Sequence, residues 1–139
     1  MKLKLIMLAS VFAFGFAFTA NAGSVVDTDS DLVPDAYDNC TTVDNGPGEA
    51  SNQVDTDQDG YGNACDTDYT QDNQTTTADF GVFFPAFTGA TPDLRTDHNG
   101  DGNTTTADFG TFFADFSSSP ANPPGPSGLA CAGTIPCLP

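Results

Sequence analysis

The sequence predicts a chain of mostly irregular loops carrying one small α-helical domain, with little or no β structure. Three observations lead there. Residues 68–87 and 97–116 share TTTADFG and then FF at an offset of 29 residues, an internal repeat. In each copy phenylalanines fall at i, i+3, i+4 and i+7, the spacing of one helix face. Outside those two helix faces and the N-terminal apolar run, the chain has only scattered Val, Leu and Ile from which to build a core.

Each repeat opens with a polar stretch of twelve residues. In the second copy Asp97, Asn99 and Asp101 stand at positions 1, 3 and 5, Gly102 at 6, Asn103 at 7, Thr105 at 9 and Asp108 at 12. This is the spacing of an EF-hand calcium loop. Alternate side chains of a tightly wound loop point inward, position 6 turns with positive φ, and position 7 offers its carbonyl. Position 12 returns a carboxylate from the first turn of the following helix. The first copy places Asp68, Thr70, Asp72, Gln74, Thr76 and Asp79 likewise. Asn73 stands at its position 6, where asparagine is tolerated because it visits the left-handed region readily. His98, at position 2, is expected to point outward into solvent. Pro85 lacks the amide that would bond to Gly81, so it should kink or shorten the first helix. The second helix has Ala114 there and should be the more regular.

Two loop-plus-helix units without the leading helix of a full EF-hand, spanning residues 67–117, resemble a dockerin module. The resemblance implies calcium as ligand and a cohesin-like domain as partner, met through Thr77-Ala78 and Thr106-Ala107 at loop positions 10 and 11. Position 8 is Thr75 or Thr104 where dockerins usually carry an aliphatic residue, and the basic residues common after dockerin helices are missing.

At the N-terminus, Lys2 and Lys4 precede an apolar run over 5–18, and Ala20-Asn21-Ala22 supplies small residues for cleavage before Gly23. Residues 1–22 read as a secretory signal peptide; the run is short for a membrane span. Secretion, to the cell surface, periplasm or medium, is the expected destination. Only Arg95 among the three cationic residues lies beyond it, with all nineteen acids, so residues 23–139 carry 1 − 19 = −18. That charge disfavours nucleic acid and anionic membrane as partners. Eight phenylalanines remain, all on the two repeat helices. Packed together they would form one small core, each ring contributing roughly 1.5–3 kcal/mol if fully buried. Such a core cannot order the whole chain, so metal and disulfides have to supply the difference.

Residues 23–66 hold a second kind of repeat. DTDSDLVPDAYD places Asp27, Asp29, Asp31, Val33, Asp35 and Asp38 at positions 1, 3, 5, 7, 9 and 12; DTDQDGYGNACD places Asp55, Asp57, Asp59, Tyr61, Asn63 and Asp66 there, with Gly60 at 6. With Asn39-Cys40 after the first and Cys65 inside the second, the pattern resembles the thrombospondin type 3 repeat. That family implies a nearly coreless chain wound around calcium ions, with disulfides tying neighbouring loops. Leu32 stands where glycine is usual, and the segment 41–54 is longer than the family spacer. Four cysteines in an exported chain suggest two bridges. Three pairings are possible, and the one favoured joins Cys40 with Cys65 and Cys131 with Cys137. A cysteine metal site is disfavoured, because no C-x-x-C occurs and the chain has one histidine.

Residues 118–139 read as a flexible to polyproline-like Pro/Ser/Gly-rich linker and a disulfide-looped tail. Asn39, Asn73 and Asn103 open formal glycosylation sequons, two of them inside metal loops. A merely disordered acidic chain would scatter its acids, whereas four windows here repeat one ligand register. About four or more Ca²⁺ ions are expected, with magnesium a poor competitor in loops this roomy. The metal-free chain should be expanded. Two functions follow: an extracellular calcium-dependent protein-binding or adhesion module, or a structural, self-assembling matrix protein rigidified by calcium. No nucleophile and base constellation is present, so an enzyme is not expected. Asp93, outside every loop, should be dispensable.

Overall fold

A computed structural model describes residues 25–118 and 122–138; residues 1–22, the expected export signal, lie outside them. The regular elements described are all helical: α1, Thr77–Phe87, and α2, Thr106–Phe116, with 3-10 turns at Asp35–Tyr37 and Leu94–Thr96. No strand occurs among the described residues, and no helix there is long and apolar enough to cross a membrane.

Both helices begin with the same device. Thr76 and Thr105 are N-caps whose hydroxyls accept the amides of Ala78 and Ala107, while Asp79 and Asp108 accept the amides of the capping threonines at 2.7 Å. This reciprocal box satisfies donors that the first turn leaves open. Pro85 does not shorten α1, which has the same eleven residues as α2. It sits in the last turn, where only the bond to Gly81 is forgone, and its own carbonyl receives the amides of Ala90 and Thr91.

The two repeats pack as pseudo-twofold equivalents. Phe83 and Phe112, which correspond at the 29-residue offset, stack with centroids 4.8 Å apart and are fully buried. Around them contacts come in matched pairs: Phe80 with Phe112 and Phe109 with Phe83, both at 6.0 Å, then Tyr69 with Phe112 at 6.1 Å and His98 with Phe83 at 6.5 Å. The eight rings do not all enter the core. Phe84 and Phe113 remain 50% and 51% exposed. At about 100° per residue they lie at the far edge of the aromatic arc from Phe83 and Phe112, where the opposite helix meets each face.

His98 is not a solvated bystander. It is buried; its Nε2 meets the Tyr69 hydroxyl at 2.9 Å and its Nδ1 meets the Asn63 carbonyl. A carbonyl can only accept, so Nδ1 carries the proton and Nε2 accepts from tyrosine. Burial holds the imidazole below its usual pKa and pushes the phenol of Tyr69 up. Tyr69 and His98 both occupy position 2, and the pseudo-twofold brings these positions face to face. The position 8 threonines have a partner too: Thr75 meets Thr67 and Thr104 meets Thr96, each at 2.6 Å, so a hydroxyl pair with the residue just before each loop takes the place of an aliphatic contact.

Cys40 and Cys65 are bridged, as are Cys131 and Cys137. The segment 122–137 is not a free linker. Its backbone runs across the loops: Asn122 O accepts from Thr75, Gly125 N donates to Cys65, Gly128 N to Asp38, Gly133 N to Asp59 and Cys137 N to Gln58. Gly60 leaves room for it, since a Cβ there would lie 2.7 Å from Ala132 Cα and Cys137 Sγ. Asp93 is engaged as well. It caps the second 3-10 turn through Arg95 N and pairs with the Arg95 guanidinium at 2.6 Å, which holds its carboxyl below the usual range.

Candidate metal centres

The four twelve-residue windows, 27–38, 55–66, 68–79 and 97–108, hereafter loops one to four, are wound alike. At position 6, Leu32, Gly60, Asn73 and Gly102 all have positive φ, between 64° and 91°. Position 4 does so too, at Ser30, Gln58, Gln71 and Gly100. Two left-handed residues in one half-loop curl the backbone so that its amides point at side chains. The position 1 carboxylate accepts the position 6 amide in every loop: Asp27 from Leu32, Asp55 from Gly60, Asp68 from Asn73, Asp97 from Gly102. The position 5 carboxylate accepts the position 7 amide: Asp31 from Val33, Asp59 from Tyr61, Asp72 from Gln74, Asp101 from Asn103.

This winding concentrates carboxylates. Asp27, Asp29 and Asp31 bring oxygens within 4.8 Å of one another, as do Asp55, Asp57 and Asp59, and Asp68, Asp72 and Asp79. Loop four, with Asp97, Asp101 and Asp108 at the same positions as the third group, forms no such group among the described residues, and its Asn99 at position 3 donates its amide to Asp101 at 3.2 Å. Thr70, at position 3 of loop three, turns its hydroxyl to Asp68.

Position 9 does other work. Asp35 accepts the amide and hydroxyl of Thr28, and Asn63 exchanges two bonds with Thr56, so each braces its loop at position 2. Thr76 and Thr105 are helix caps. At position 12, Asp79 and Asp108 close the capping boxes with one oxygen and hold the backbone of their own loops with the other, at Thr70 and at His98.

The electrostatics carry the same imprint. Burial, then the charges of Asp59, Asp57 and Asp68, push the Asp66 carboxyl up to about 9. Burial with Asp59 and Asp55 raises Asp57 to about 6, and burial with Asp31 and Asp38 raises Asp29. Two buried carboxylate oxygens, Asp29 Oδ2 and Asp38 Oδ2, have no hydrogen-bond partner. Buried acceptors left open cost free energy unless something electropositive meets them. The donors offered are all oxygen, the set that hard divalent cations take. The residues therefore fit a cation.

No protein-family model, curated protein or solved structure matches the chain. The assignment rests on geometry alone: a small domain whose regular elements are helical, with clustered acidic loops consistent with generic calcium-binding loops.

Loop one carries an imperfection with a measurable consequence. Leu32 holds φ 80° with its side chain 79% exposed, so its Cβ is strained and gains little from packing. Leu32→Gly should raise stability by about 0.5–1 kcal/mol, the left-handed penalty less the entropy of the added glycine. Leu32→Ala, which keeps the Cβ, should give no gain in the same denaturant melts.

Proposed function

We propose that this is an exported calcium-binding module whose acidic loops fold around Ca²⁺ and whose paired repeat helices dock an extracellular protein. The observation that carries the calcium reading is the identical winding of four loops, with positive φ at positions 4 and 6, together with carboxylates gathered in loops one to three and, in loop one, two buried carboxylate oxygens that have no partner. Flexible loops built on Asp and backbone carbonyls suit the larger, less exacting ion, so Ca²⁺ is preferred to Mg²⁺. The finer likenesses, to thrombospondin type 3 repeats over 23–66 and to dockerins over 67–117, support the same ligand. Export is supported by the N-terminal signal pattern and by bridged cysteines.

Docking is supported by what the helices leave outside. Thr77, Ala78, Gly81 and Phe84 are exposed on α1, and Thr106, Ala107, Gly110 and Phe113 on α2. Nothing lies within 4 Å of a Cβ built on either glycine, so a partner's backbone has room to approach.

Calorimetric titration of oxidised, cation-stripped residues 23–139 with CaCl₂ should show saturable binding at more than one site, with much weaker heats for MgCl₂. Absence of binding would end the calcium reading. Asp44→Asn, an exposed acid outside the loops, should leave the titration unchanged, and the docking reading requires that a cohesin-like domain be captured with calcium and lost on Phe84→Ala plus Phe113→Ala.

A further inference from the structure

Between loops one and two, Asn39, Asn45 and Gln53 form a largely buried amide network with no counterpart in the ligand register. Asn45 is fully buried and Asn39 nearly so. Asn45 Nδ2 donates to Asn39 Oδ1 at 2.8 Å. Gln53 Nε2 donates to Asn45 Oδ1 and to Asp38 Oδ1, both at 2.8 Å. Its Oε1 accepts the amide of Asn39 at 2.9 Å, and its carbonyl accepts Asn39 Nδ2 at 3.1 Å. The Gln53 amide has one orientation only. Flipped, it would set an NH₂ against the Asn39 amide and an oxygen against two acceptors.

The network ends on two loop-one carboxylates. Asp31 Oδ2 accepts the Asn45 backbone amide at 3.1 Å. Asp38 is fully buried; its Oδ1 accepts from Cys40 N at 2.9 Å and from Gln53, while Oδ2 has no partner. One oxygen is thus pinned by two donors and the other left open. Gln53 itself sits at φ 49°, a left-handed conformation that asparagine and glycine adopt more readily. The local backbone does not favour that placement, and the bonds its amide makes do.

We propose that Gln53 is a positioning residue of the first cation site: it fixes the Asp38 carboxylate so that the unpaired Oδ2 faces the ion shared with Asp27, Asp29 and Asp31. The inference rests on the calcium reading above. Partners that orient a ligand commonly change metal affinity by about 10–100-fold when removed. Gln53 acts through Asp38, so its effect is confined to loop one and depends on Asp38 being a carboxylate.

The test is a CaCl₂ titration of oxidised, ¹⁵N-labelled residues 23–139, following the amides of Val33, Tyr61, Gln74 and Asn103, one per loop. Gln53→Met, which removes the amide, should weaken the Val33 transition roughly tenfold or more and leave the other three in place. Gln53→Glu keeps the acceptor for Asn39 N but sets an anionic oxygen against Asp38 Oδ1 in place of the Nε2 donors, so it too should show the selective loss at Val33 should the methionine variant fail to fold. Asp38→Asn should weaken loop one strongly in the native background and by a much smaller factor beside Gln53→Met, a non-additivity that a merely structural glutamine does not produce. Unchanged Val33 affinity in both glutamine variants, or equal weakening of all four loops, would overturn the proposal. No calcium response at Val33 in the unaltered chain would instead remove the calcium reading beneath it.

Discussion

Stripped of divalent cations at pH 8, the chain should lose its cooperative melting transition and expand, and acidification should restore part of its order. Asp66 and Asp57 have carboxyls raised to about 9 and about 6 in the folded chain, against the ordinary aspartate value of 3.8. From the ordinary value up to the raised ones the folded state binds more protons than the unfolded one. The cation-free fold is therefore most stable below about pH 4 and loses stability as pH rises toward 9. Calcium reverses the slope, because it binds the deprotonated carboxylates and gains affinity as they ionise. At free calcium 100 times a site's dissociation constant each site adds ~2.7 kcal/mol, so four independent sites add ~11, close to the whole stability of a small domain. Calorimetric melts and small-angle scattering from pH 5 to 8 should show the calcium-dependent rise in melting temperature growing with pH. Equal compactness and parallel pH profiles with and without calcium would contradict the cation's structural part.

The helices were legible because a phenylalanine register at 3.6 spacing and a Thr-x-x-Asp start each point to the same element. Position 6 of the loops was legible from Gly60 and Gly102. Position 4 was not: Ser30, Gln58 and Gln71 hold left-handed φ with no glycine to announce it, and Gly100 is the lone trace. Position 9 has a second use that spacing does not reveal. Asp35 and Asn63 are oxygen-bearing residues at a ligand spacing, yet their oxygens brace Thr28 and Thr56, and spacing cannot distinguish the two uses. His98 was misplaced because position 2 faces outward in a single loop and inward once two loops meet back to back.

The tail was hidden for a related reason. Its contacts to loops one and two are backbone donors reaching backbone carbonyls at Asp38, Gln58 and Asp59, and such bonds leave no mark in residue type beyond a glycine where the chains approach closely. The amides of buried Asn45 and half-buried Gln53 read as loop composition, although together they fill the space beside the Cys40–Cys65 bridge. A chain with so few apolar side chains distributes its interior over amides, carboxylates and sulfur, and such an interior has no periodicity to read.

Phe112→Ala and Phe83→Ala should each cost about 3–5 kcal/mol in calcium, the range for a fully buried aromatic ring, while Phe84→Ala and Phe113→Ala on the exposed edge should cost under about 1. Denaturant unfolding at saturating calcium separates the two pairs. The core substitutions should reach further than stability. Phe112 stacks on Tyr69 and Phe83 on His98, and these are the second residues of loops three and four, where Thr70 N beside Tyr69 donates to Asp79 and His98 N itself donates to Asp108. A cavity at either ring frees both position 2 residues through the Tyr69–His98 hydrogen bond, so Phe112→Ala should weaken calcium in loop three and loop four together and spare loop one. Loss of stability with the affinities of both loops intact would mean that the aromatic core and the ion sites fold independently, and the pseudo-twofold contact between the loops would then carry no coupling.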